Sequence, residues 1–222
     1  VGRDVTDVLA SVLPLALVIA ASPFAIVPAI LMLMTARPRA TGSAFLLGWV
    51  TGLLAVTFAS AWFVDGANDA SEPETWTLWL RIGVGAALVL LGVKQWLTRG
   101  RSTKDPRWMA AMAGVTPRRA ASLGALLAAL NPKVLLLAVA AGTTIGAQGL
   151  PRNDAALAAA LFVAVASIGV AVPVIVYFVA GQRAVAGLQS AQDWLKRNND
   201  AVTAVVLILI GLALAAAGAT DL

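Results

Sequence analysis

Residues Leu127–Gly142 read LAALNPKVLLLAVAAG. Thirteen of these sixteen positions are apolar or glycine, yet Asn131, Pro132 and Lys133 stand together in the middle. An amide, a helix breaker and a full charge inside an apolar run need a reason. A proline within a helix removes one hydrogen bond and clashes with the preceding turn. A lysine well inside a bilayer span costs roughly 2.5–3.5 kcal/mol on insertion scales. The segment therefore reads as a membrane helix broken at Pro132, with Lys133 placed at the break for a purpose.

The rest of the chain supports the membrane setting. Of 222 residues, 60% are hydrophobic and 12% charged, about half the charged share of a soluble domain. Apolar runs long enough to cross a bilayer recur along the chain. Six spans are expected, at about 8–35, 42–64, 78–96, 120–144, 155–180 and 201–218. All should be helical, because backbone polar groups in lipid must be satisfied within the segment. The fold class expected is thus an all-α integral membrane protein.

Charge sets the orientation. Arg37 and Arg39 follow the first span, Lys94 and Arg99 flank the end of the third and lead into a basic linker over 101–119, and Arg183, Lys196 and Arg197 follow the fifth. The alternate loop DGANDASEPET, 65–75, holds four acids and no base. By the positive-inside rule the basic loops are cytoplasmic and both termini lie outside. The net charge of +5 is then a topology signal, and no nucleic-acid partner is expected. Two basic segments, 102–119 and 182–199, mix Trp with cations and read either as short interfacial helices or as solvated linkers.

The two halves of the chain, 1–100 and 120–222, repeat each other. AASPFAIVPA around Ser22 and Pro23 matches AALNPKVLLLA around Asn131 and Pro132. FLLGWVTG, 45–52, matches FVAVASIG, 162–169, and LVLLG, 88–92, matches LILIG, 207–211. Three spans per half make the second copy inverted. Inverted repeats with interrupted helices in corresponding places are a transporter pattern.

The candidate site residues follow from that pattern. Pro23 and Pro132 should break the first and fourth spans, and Pro28 and Pro173 should add kinks. Ser22 and Asn131 precede the breaks, where they either rebond freed backbone groups or face substrate. Lys133 either binds an anionic group beside a half-helix N-terminus or snorkels to water. Gly48, Gly52 and Gly169 are expected at close helix contacts, and the GxxxG of Gly48 and Gly52 leaves homodimerisation as a second reading.

Some chemistry is excluded. The chain has no Cys and no His, which removes thiol redox chemistry and the usual zinc sites. No acid lies centrally in any expected span, so no metal site is expected. No nucleophile–base arrangement or nucleotide-binding loop is visible, so neither an enzyme nor a cofactor is expected.

The stretches SPFAIVPAILMLMTARPRATGSAFLLGWVTGL, 22–53, and ALNPKVLLLAVAAG, 129–142, resemble the lysine-exporter (LysE) superfamily. Within it they are most similar to the actinobacterial peptidoglycolipid and sulfolipid addressing proteins (the GAP/Sap family). The resemblance implies a small six-span inner-membrane protein that helps move cell-envelope glycolipids outward, with roles for Ser22, Pro23, Asn131, Pro132 and Lys133. Amino-acid exporters of the superfamily carry a Pro-Gly-Pro-like motif where this chain has Ser22-Pro23-Phe24. The competing readings are export of small anionic metabolites and a non-transporting scaffold for large lipid synthases and exporters.

Overall fold

A computed structural model describes residues 4–68 and 114–197. The expected spans at 78–96 and 201–218, and most of the basic linker, lie outside the described residues, as does the third match between the halves. Among the described residues every regular element is helical. The helices are α1 (Val5–Ala20), α2 (Pro23–Met32), α3 (Pro38–Asn68), α4 (Pro117–Leu130), α5 (Pro132–Gly146), α6 (Arg152–Ala166), α7 (Ile168–Ala180) and α8 (Ala184–Arg197). A 3-10 turn, Gly181–Arg183, joins the last two.

Prolines set half of the described α-helix starts. Pro23, Pro38, Pro117 and Pro132 each open a helix, where a missing N–H costs nothing. Two of these starts are internal to a longer apolar track. The axis turns by 52° between α1 and α2 and by 67° between α4 and α5. Pro14, Pro28 and Pro173 behave differently, because α1, α2 and α7 run on through them. The helix is thus not interrupted at Pro28. The third interruption falls instead at Ser167, between α6 and α7 and six residues ahead of Pro173.

By length and composition, Pro38–Val64 and Ile168–Trp194 can each cross a membrane alone, and each bent pair is either one further span or a re-entrant loop. The described residues therefore hold two to four candidate spans. The distribution of side chains agrees. Leu17, Leu47, Phe63, Leu130, Ile175 and Val179 are all more than half exposed, while Ala16, Ala128, Ala138, Ala141 and Ala166 are sealed inside. So many large apolar groups turned outward suit a hydrocarbon surround, and the buried alanines let helices pack backbone to backbone. The molecule is a membrane protein.

The helices associate as two crossed groups. α3 packs along α4 and α5, and α1 packs along α6 while α2 packs on α7. Each bent track of one half thus lies against a helix of the other half. The core between the groups gathers Val12, Ile19, Phe45, Trp49, Leu137 and Phe162. A smaller cluster of Ile30, Leu33, Val174, Tyr177, Ala184 and Leu188 seats α8 against α2. Residues 184–197 are therefore a helix with one apolar stripe turned inward, at Ala184 and Leu188 with Gln192 next in line.

The turn from α2 into α3 hangs on one hydroxyl. Thr41 Oγ1 bonds the Met32 carbonyl at 2.7 Å and the Thr35 hydroxyl at 2.7 Å, while Thr35 also reaches the Met32 carbonyl at 2.9 Å. Both threonines are buried. Thr41→Val keeps the shape and removes the hydroxyl from this buried network, leaving only the Thr35 bond to the Met32 carbonyl. It is expected to cost about 1–3 kcal/mol, read as a lower thermal midpoint in detergent. Ser43→Ala, which loses only an exposed bond to the Arg39 carbonyl, should change stability by no more than about 0.5 kcal/mol.

Candidate functional site

The break between α4 and α5 is built by three consecutive residues. Asn131 leaves the helix in extended geometry, with φ −70° and ψ 116°, and ends α4 while capping α5. Its side-chain oxygen accepts the N–H of Lys133 at 3.1 Å, and its carbonyl accepts the N–H of Leu135 at 2.8 Å. Pro132 then occupies the first position of α5. Asn131 thus rebonds freed backbone at this break. The cap also points the positive end of α5 at the space beside the bend.

Lys133 stands in the first turn of α5 and is half-buried, next to the sealed Val134 and exposed Leu130. The described acidic side chains, Asp4, Asp7, Asp154 and Asp193, lie at or near the ends of α1, α6 and α8. The cation and the helix terminus therefore act in the same direction at one point of an apolar wall. Together they favour an anionic group.

The equivalent break between α1 and α2 is built otherwise. Ser22 holds the capping position in extended geometry, φ −72° and ψ 119°. Its hydroxyl makes no cap bond, is buried and has no hydrogen-bond partner. Its carbonyl accepts the N–H groups of Ala25 and Ile26 at 3.0 and 3.2 Å. Ser22 is therefore unlike Asn131, in that its side chain does not rebond the backbone. Arg39, near the start of α3, lies over the Phe178 ring at 5.7 Å, which ties α3 to α7.

The glycines stand where helix backbones touch. A Cβ at Gly48 would run into the Ala121 carbonyl, and one at Gly52 would meet Ala125 and Ala128. Gly124 answers from α4, facing the Phe45 carbonyl and the Trp49 nitrogen. Farther along α3, Gly142 meets Thr57 and Ser60, and Gly146 meets Ala61. Gly169 faces the Ala20 carbonyl just before the first break. The GxxxG face of α3 is thus taken up inside the chain and is not offered to a second copy. Gly52 and Gly169, which match in the repeat, both abut the end of a first half-helix from the opposite half.

Sequence reading did not single out three further positions. Trp49 Nε1, Thr57 Oγ1 and Ser167 Oγ are buried without partners, as Ser22 Oγ is. Thr57 lies on α3 between Gly52, which meets α4, and Ser60, which meets α5. Such atoms are few in folded proteins, and each calls for an explanation. The available signal was a polar residue inside an apolar run, which Thr57 and Ser167 both satisfy. Among the described residues no group of His, Cys, Asp and Glu could hold a metal.

No curated protein and no solved structure matches the chain. The family described as Sap, sulfolipid-1-addressing protein, matches residues 12–220. That range takes in both helix breaks, the glycine seams and Lys133. The chain belongs to the sulfolipid-1-addressing protein family.

Proposed function

We propose that the protein is a carrier of cell-envelope glycolipids or anionic lipid intermediates, moving them outward across a bacterial inner membrane. The observation that carries this reading is the capped break at Asn131-Pro132. It sets a half-buried cation and a helix N-terminus at one point of an otherwise apolar wall. A sulfolipid, named in the family's description, combines an anionic group with long apolar chains. The head group would sit at Lys133, and the chains would stay against the exposed leucines and phenylalanines.

Alternating access supplies the mechanism. Six spans in two inverted three-helix repeats would provide two arrangements, related by a pseudo-two-fold axis in the membrane plane, around one site. Reciprocal packing supports the repeat, since the bent track of each half lies along a helix of the other. Rocking one crossed group against the other would expose the Lys133 region to each side in turn. The basic loops face the cytoplasm and both termini face outward. Large lipid synthases or exporters are the partners this role calls for. Export of small anionic metabolites is the competing use of the same cation.

The test is lipid retention. The protein is purified in mild detergent from an actinobacterial host, and bound lipids are identified by native mass spectrometry. Wild type is expected to hold one class of anionic glycolipid or lipid phosphate, and Lys133→Ala to lose it. Retention of bulk phospholipid alone by both forms would overturn the lipid-carrier reading.

A further inference from the structure

A second site lies where two helix breaks meet. α1 packs on α6 and α2 packs on α7, so the two tracks run parallel with their interruptions level. The break in the first is at Ala21 and Ser22, and the break in the second is at Ser167. Gly169 closes the gap between them, because its Cα approaches the Ala20 carbonyl and the Ile26 side chain on either side of Ser22. At this level the Ser22 and Ser167 hydroxyls are 1% and 4% exposed, and neither has a partner.

The backbone there has spare acceptors. The Ser22 N–H bonds the Ile19 carbonyl at 3.0 Å, which takes the Val18 carbonyl out of the i→i−4 ladder. Pro23 contributes no N–H at all. On the other track the Val170 N–H turns to the Ser167 carbonyl at 3.0 Å, which takes the Ala166 carbonyl out in the same way. Four nearby N–H groups are already used, by Ala25 and Ile26 on the Ser22 carbonyl and by Val170 and Ala171 on the Ser167 carbonyl. A divalent ion would want carboxylates, and the described acids lie at helix ends elsewhere. A sugar is too large for a space that a glycine and a carbonyl already close.

We propose that the Ser22 and Ser167 hydroxyls, with the backbone carbonyls freed at the two level breaks, bind a small monovalent cation such as sodium. Neutral hydroxyl and carbonyl oxygens suit an ion of single charge. Because both breaks supply ligands, the ion would hold the two tracks at one mutual angle. This site is separate from Lys133, and its test does not depend on which substrate the protein carries.

The experiment compares thermal midpoints of the purified protein in sodium chloride, potassium chloride and choline chloride at equal ionic strength. At about 100 mM sodium, wild type is expected to gain about 2–4 °C over choline, saturably. Ser22→Ala and Ser167→Ala should each abolish that gain. Their midpoints in choline should equal or exceed that of wild type, because each removes a buried, unbonded hydroxyl. Equal wild-type midpoints in sodium and choline would overturn the proposal, as would an undiminished gain in both variants. Should a variant fail to elute as a folded species, retention of radiolabelled sodium by wild type decides. Saturable retention displaced by unlabelled sodium supports the site, and none overturns it. Lipid retention can fail while the sodium gain stands, and the reverse, so the two readings fall separately.

Discussion

Gly48→Val is expected to leave little or no folded protein. The side chain at this position would meet the backbone of Ala121, in the carbonyl, the carbonyl carbon and the Cα together. Backbone on a packed helix cannot step aside as the end of a flexible side chain does. Overpacking of a core commonly costs about 1–3 kcal/mol, and a collision with backbone belongs at or above the top of that range. A domain holds only about 5–15 kcal/mol in total, so the seam between α3 and α4 should open. The measurement is the monodisperse fraction in detergent size-exclusion chromatography, with the midpoint of whatever survives. Gly187→Ala is the matched control, since a Cβ there meets nothing and a helical alanine gains about 0.5–1 kcal/mol over glycine. A well-folded Gly48→Val protein would mean that the two helices do not touch there.

The second large effect is on function. A charge series at Lys133 should rank lipid binding as lysine, then arginine, then alanine, then glutamate. Loss of a partly buried, charge-assisted hydrogen bond is worth about 1.5–3 kcal/mol, which is at least about a tenfold loss of affinity for Lys133→Ala. Lys133→Glu sets a like charge against the anionic group and should abolish binding. Lys133→Arg keeps the charge but changes its shape, and should retain most of it. Affinity is read by displacement of the retained lipid in native mass spectrometry, with the thermal midpoint as a check on folding. Equal retention across the series would return Lys133 to a residue that merely reaches for water.

Much of this was legible in the residues. Pro23 and Pro132 announce their breaks because each ends a run in which every N–H is needed. The polar neighbour marks them further, since Asn131 is a ready cap. Other prolines were misleading. Pro28 sits inside α2, where the helix tolerates the lost bond, and no break follows. Ser167 is the converse case, a break without a proline beside it. What stops the ladder there is the turn of the Val170 N–H onto the Ser167 carbonyl, one residue short of its regular partner, a choice that spacing does not encode. The depth of Lys133 was equally hidden. About 14 residues after Arg119 is roughly 21 Å of straight helix, but the track bends by 67° on the way.

The glycines were visible as a class and silent about their partners. Any small residue on an apolar helix permits a close approach, and an alanine-rich sequence offers many faces to approach. That Gly48 meets Ala121, and Gly169 meets Ala20, follows from which helices cross. The unbonded Ser22 hydroxyl was likewise unreadable. A serine ahead of a helix start ordinarily caps it, and only the packed structure turns this one away.

The seam of Gly48 and Gly52 also bears on how the chain is made. A ribosome delivers α3 to the bilayer long before Ala121 and Ala125 exist. Until then the glycine face has only lipid to rest on, and lipid tails cannot fill so narrow a groove as a helix does. The first half of the protein is therefore a waiting structure, completed by the second rather than standing beside it. Expressed alone, it should be a ward of the membrane's chaperones and proteases.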